Sequence, residues 1–140
     1  MFVLDTNHLR EFIHRSPAGL RMRERIRLLV SEAVVIPIVA AEEAFRGWLA
    51  RLAVAKTPAQ QKWTYAQFDQ LIHELSKFVR LPWDEEAAAR FSAFRARGVR
   101  IGTLDLRIAC ITLEHDATLL SRNAVDFAKV PGLRCENWLD

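Results

Sequence analysis

Apolar positions along the chain fall into two kinds of run. Phe2-Val3-Leu4, Ala33-Val34-Val35-Ile36-Pro37 and Ala117-Thr118-Leu119-Leu120-Ser121 are short and almost continuous. Runs of this kind predict strands covered on both faces, as in a parallel sheet. Between them the apolar residues recur at helical spacing. Leu9, Phe12 and Ile13 mark a first short helix, which Ser16-Pro17 and Gly19 interrupt, and residues 20–31 resume the pattern with Leu20, Ile26, Leu29 and Val30. Residues 38–55 read as a helix carrying Phe45, Trp48 and Leu52. Thr57-Pro58 is an N-cap followed by proline in the first turn, opening a helix through Trp63, Phe68, Leu71, Ile72 and Leu75 to Phe78. A helix capped by Asp84 runs toward Gly98, and another covers Leu104 to about Glu114. Shorter strands are expected at 79–83 and 133–138. Strands alternating with helices predict an α/β fold with a mostly parallel central sheet flanked by helices.

Composition narrows this. The chain has 140 residues, of which 51% are hydrophobic and 26% charged, so one globular domain over 1–140 is expected and disorder is not. No apolar run approaches the ~18–20 residues of a membrane span. The opening Met-Phe-Val-Leu-Asp lacks the basic start of a secretory signal, so a cytoplasmic location is expected. Cys110 and Cys135 have no zinc-site spacing and read as small packed thiols in a reducing compartment. His8, His14, His73 and His115 are scattered, and no chemistry is assigned to them. The net charge is +3, with arginines crowded at 21, 23, 25 and 27 and again at 90, 95, 97 and 100. Two readings stay open for these clusters: solvated helix faces paired with Glu24, Glu85 and Glu86, or a surface that meets a polyanion.

The acids are more pointed. Asp5 ends the first strand, Glu42 and Glu43 follow the second, Asp105 lies in the first turn of a later helix, and Asp126 follows the strand at 117–121. Each has a bland alternative as a cap, a turn residue or a solvated charge. In a parallel sheet, however, segments after the carboxyl ends of strands gather in one crevice. Carboxylates gathered there stay ionised only beside a cation, and a hard ion such as Mg²⁺ or Mn²⁺ suits all-oxygen donors.

These residues resemble a known family, the PIN-domain ribonucleases, and within it the VapC-type toxins of type II toxin–antitoxin pairs. Phe2-Val-Leu-Asp5-Thr6-Asn7 resembles the first motif. Val35-Ile-Pro-Ile-Val-Ala-Ala-Glu42-Glu43-Ala-Phe-Arg46-Gly47 resembles the second, whose acid stands four residues before a glycine, which selects Glu43. Ile101-Gly-Thr-Leu-Asp105 resembles the third. Leu119-Leu-Ser121-Arg122-Asn123-Ala-Val-Asp126-Phe127, continuing to Trp138, resembles the closing motif. Two positions depart from the pattern: Ser121 stands where many members have threonine, and Asn123 where many have an acid, which makes Asp126 the fourth acid. The resemblance implies a PIN-like three-layer sandwich and metal-dependent hydrolysis of RNA. It makes Asp5, Glu43, Asp105 and Asp126 the catalytic and Mg²⁺- or Mn²⁺-binding acids, with Thr6, Asn7, Ser121 and Asn123 orienting them. Arg46, Arg107 and Arg122, beside the motifs, are expected to meet RNA at the rim. Trp48, Trp63 and Phe68 are expected mainly to pack. The resemblance further implies a small cognate antitoxin and a homodimer, for which part of the apolar set Phe45, Trp48, Leu52, Trp63 and Phe68 would serve. The alternative is a catalytically degenerate PIN domain that binds RNA or protein. A phospho-receiver domain is disfavoured because Asp5 stands without an acidic neighbour.

Overall fold

A computed structural model describes residues 1–140. The strands are β1 (Phe2–Leu4), β2 (Val34–Pro37), β3 (Arg80–Leu81), β4 (Thr118–Leu120) and β5 (Arg134–Glu136). The helices are α1 (Thr6–His14), α2 (Pro17–Arg27), α3 (Ile38–Val54), α4 (Pro58–Ser76), α5 (Glu85–Ala96), α6 (Thr103–Glu114) and α7 (Ala124–Phe127). The strands form one five-stranded sheet in the order β3-β2-β1-β4-β5, and every pair is parallel.

The alternation of side chains along the strands builds the layers. Val3, Val35 and Leu119 share one core with Phe94 of α5, Leu106 and Ala109 of α6, and Phe127. Their neighbours Leu4, Ile36 and Leu120 share the other with Leu9, Met22, Ala40 and Leu71 from α1 to α4. Helices therefore cover both faces, giving three layers. Each fully buried Leu or Ile contributes roughly 1.5–3 kcal/mol relative to exposure. The chain steps from β1 outward to β2 and β3, then returns to place β4 on the other side of β1. The carboxyl ends of β1 and β4 thus flank a switch point, where a crevice opens.

Three expected boundaries shift. α2 begins at Pro17, because Ser16 accepts a hydrogen bond from the Gly19 N–H at 3.0 Å and proline suits the first turn. The residues read as a break are the helix start. Gly19 is there for closeness: a Cβ at that position would stand 1.9 Å from the Glu11 carbonyl oxygen. α2 also ends at Arg27 rather than 31. β5 stops at Glu136, and the following residues turn inward to bury Trp138 and Leu139, with the Trp138 ring 4.6 Å from that of Phe2.

The apolar set of α3 and α4 divides. Trp48 is buried, edge-on to Trp63 at 5.8 Å, and Phe45 meets Phe68 edge-on at 5.3 Å. Trp63 itself is 54% exposed, and Leu49, Val54 and Tyr65 are also exposed on this hairpin. No helix is long and apolar enough to cross a membrane.

Candidate active site

Asp5 leaves β1 and caps α1, its Oδ1 accepting the His8 backbone N–H at 2.8 Å. The same oxygen lies 3.2 Å from His8 Nδ1. His8 is fully buried, and its Nε2 lies 3.2 Å from the backbone N of Trp138. That N–H can only donate, so Nε2 is the acceptor and the ring proton sits on Nδ1, directed at Asp5. His8 thus ties the first acid to the far end of the chain. From sequence, His8 is the histidine nearest the acids, but it has no ligand spacing to give it a role. The signal was its place three residues after Asp5, on the face of α1 that also carries the buried Leu9.

Glu43 sits one turn into α3. Its Oε1 accepts from the Thr6 hydroxyl at 2.6 Å, so the residue after Asp5 orients it. Glu42 points elsewhere, pairing with Arg46 at 2.6 Å. Asp105 lies in the first turn of α6, and the Asn123 amide donates to its Oδ2 at 3.2 Å and to Asp126 Oδ2 at 3.0 Å. Asn123 therefore stands between the two acids. Its own backbone N–H donates to the buried Ser121 hydroxyl at 2.9 Å. Asp126 is the outlying member, with Lys129 Nζ at 3.3 Å.

Charge ties the group together. Burial pushes the Glu43 carboxyl above its ordinary value; the Thr6 hydroxyl pulls it back, and the charges of Asp105, Asp5 and Glu42 raise it again. Burial likewise raises Asp105, against the Asn123 amide and with the charges of Asp5 and Asp126. Asp126 moves the other way, held down by the Asn123 amide and by Lys129. No lysine or arginine pairs with Asp5, Glu43 or Asp105, so their repulsion is uncompensated by the chain. The side chains stop short of a closed cage: no three His, Cys, Asp or Glu groups stand in direct coordinating geometry. Hard oxygen donors with room between them suit an ion that keeps several of its waters.

Other expected residues lie apart from the acids. Asn7 is exposed and accepts from Arg10 at 2.7 Å. The three expected rim arginines have partners within the chain. Arg46 pairs with Glu42, Arg122 forms two bonds to Asp140, and Arg107 lies near the Trp83 and Phe91 rings at 5.8 and 6.0 Å. The α2 arginines follow suit. Arg23 donates to the Phe12 carbonyl at 2.8 Å, Arg25 lies over Trp138 beside Glu136, and Arg27 pairs with Glu24. Arg90 pairs with Glu114, and Arg95 caps the Val99 and Ile101 carbonyls. Arg21 donates to the Leu139 carbonyl, so internal bonds account for the α2 arginines and for Arg90 and Arg95, while Arg97 and Arg100 pair with no acid. A cleft of about 360 Å³ between α1, α3 and α4 instead carries Arg10 and Arg51 beside Thr6 and Glu43, with Gln67 and Gln70 opposite. Of these two, Arg10 bonds Asn7 and lies 3.6 Å from Glu11, and sequence spacing alone could not separate it from Arg51, which pairs with no acid.

The sequence pattern of the family described as PIN domain matches residues 2–133. No curated protein sequence matches. Among solved structures, the chain is similar to one in VapBC2 from Rickettsia felis bound to a promoter DNA fragment, with 20% identity, 98% of each chain covered and a TM-score of 0.74. DNA-bound VapBC from Salmonella typhimurium is similar at 24% identity, with 98% of this chain and 97% of that one covered and a TM-score of 0.73. A toxin–antitoxin complex from Klebsiella pneumoniae is similar at 22% identity, 95% of each chain and a TM-score of 0.62.

Proposed function

The chain belongs to the PIN domain family, and on that premise we propose that it is a metal-dependent endoribonuclease of the VapC toxin type, a single domain over residues 1–140. The observation that carries the reading is the convergence, at the sheet's switch point, of Asp5, Glu43 and Asp105 without a compensating cation. Three carboxylates from distant segments are hard oxygen donors that suit Mg²⁺ or Mn²⁺. Such an ion, when bound, lowers the pKa of a water and neutralises charge on a phosphoryl oxygen.

The chain's own residues supply the rest. Asp5, Glu43 and Asp105 would hold the ion directly or through water. The Thr6 hydroxyl fixes the Glu43 carboxylate, and the Asn123 amide fixes Asp105. Asp126 completes the negative pocket from outside, through Asn123. Ser121 holds the Asn123 backbone in place.

A small antitoxin and a second copy of the chain are the proposed protein partners, in line with the complexes named above. The exposed Trp63, Val54 and Leu49 of the α3–α4 hairpin are apolar surface of the kind such contacts cover. The cytoplasm is the proposed compartment, where the free thiols of Cys110 and Cys135 stay reduced. The test is RNA cleavage with Mg²⁺ or Mn²⁺ by wild type, Asp5→Asn and Asp105→Asn. Cleavage by the wild type alone supports the reading; three identical profiles would reject it in favour of a binding module.

A further inference from the structure

Glu43, Gly47 and Arg51 lie four residues apart on α3, so they form one stripe along a single helix face. The stripe reads acid, gap, cation, and it lines the 360 Å³ cleft. Glu43 belongs to the acid group, so the cleft opens directly from the candidate active site.

Gly47 is the telling member. It lies inside α3, where glycine is among the poorest helix formers. Its backbone needs no positive φ, and a Cβ built on it would meet nothing within 4 Å. Neither strain nor crowding within the chain calls for glycine here. What a side chain would occupy is the cleft.

The walls of the cleft have unused binding capacity. Arg51 lies 4.7 Å over the Trp48 ring and pairs with no carboxylate. Across from it, the side-chain amides of Gln67 and Gln70 of α4 make no hydrogen bond within the chain. Unpaired amides on a mostly apolar pocket can read the polar edge of a base, and an arginine without an acid can take a phosphate.

We infer that this cleft holds a nucleotide of single-stranded RNA flanking the scissile phosphate, with a backbone phosphate at Arg51, the sugar and base passing through the space left by Gly47, and the base edge facing Gln67 and Gln70. The inference rests on the ribonuclease reading for its substrate class. Arg51 stands about 12 Å along the helix from Glu43, which spaces the cation from the acids that would repel the same strand.

The test measures fluorescence anisotropy of a labelled single-stranded RNA hexamer in EDTA, beside thermal melting and, separately, cleavage with Mn²⁺. Gly47→Leu is expected to melt no lower than wild type and to bind RNA at least about tenfold more weakly, because it favours the helix and fills the cleft. Arg51→Gln is expected to weaken binding several-fold and to reduce the slope of log affinity against log salt by about 0.7, one phosphate contact on a single strand. Gln67→Ala with Gln70→Ala is expected to change which bases flank the cut. If Gly47→Leu folds poorly, the surface change at Arg51 carries the test. RNA binding at wild-type strength by both variants overturns the inference. So does a wild type that binds no RNA, or variants that lose only binding to the cognate antitoxin. If wild type binds, the variants weaken, and nothing is cleaved with Mn²⁺, the cleft assignment stands and the hydrolase reading fails.

Discussion

Around α2 and the C-terminal turn, charge meets charge. Arg27 pairs with Glu24, Arg25 with Glu136, and Arg122 with Asp140. Gly19 belongs to the same region, and there a single added carbon would strike the Glu11 backbone. Along α3 and the carboxyl ends of β1 and β2 the treatment is opposite. Asp5, Glu43 and Asp105 face each other with no lysine or arginine between them. Gly47 has only space beside it. The first region spends its polar groups on itself, as a folded chain ordinarily does. The second holds them in reserve, and buried repulsion of that kind persists only where something outside the chain answers it.

The contrast can be broken at several strengths. Asp105→Asn and Asp5→Asn are expected to lower RNA cleavage about a thousandfold, roughly 4 kcal/mol of transition-state stabilisation, without lowering the melting temperature. A matching loss of stability would place these acids with the structural charges. Gly19→Ala should do the reverse: it costs about 3 kcal/mol of stability in a denaturant titration while the remaining folded protein cleaves at the wild-type rate.

His8 tests whether the reserved acids are held rigidly. His8→Leu is expected to weaken Mn²⁺ binding about 10- to 100-fold by titration calorimetry. His8→Asn keeps a donor where Nδ1 stands and should recover more affinity than His8→Gln, which keeps only the acceptor toward Trp138. Equal behaviour of the two would reduce His8 to a packing residue.

The acids also predict a response to pH. Glu43 and Asp105 have raised values in the folded state, so the stability linked to them is full below the ordinary carboxylate range. It is lost as pH rises through and just above that range. Mn²⁺ should therefore raise the melting temperature clearly at pH 7.5 and little at pH 4. The smallest effect belongs to the paired region: Arg27→Gln should change stability by less than about 0.5 kcal/mol, as an exposed pair, and leave RNA affinity unchanged.

Much of this was legible in the order of residues. The continuous apolar runs at Phe2–Leu4, Val34–Pro37 and Thr118–Leu120 became neighbouring parallel strands, which sets Asp5 beside the end of β2, where the helix carrying Glu43 begins. Glu43 was separated from Glu42 by its spacing to Gly47, and Glu42 indeed turns to Arg46. Ser16-Pro17 was misread because the same residues that break one helix cap the next. The partners of the arginines were not legible because pairing is a property of space: Arg122 meets Asp140, and Arg25 meets Glu136, across stretches that no local pattern joins. His8 was missed for the same reason, since its second partner is Trp138.

That bond has a consequence for the living chain. The Trp138 N–H that fixes the His8 ring is translated 130 residues after that ring. At about 5–20 residues per second, roughly 6 to 26 seconds separate the two events. Throughout that interval the nascent polypeptide carries Asp5 beside a His8 ring that lacks its second anchor.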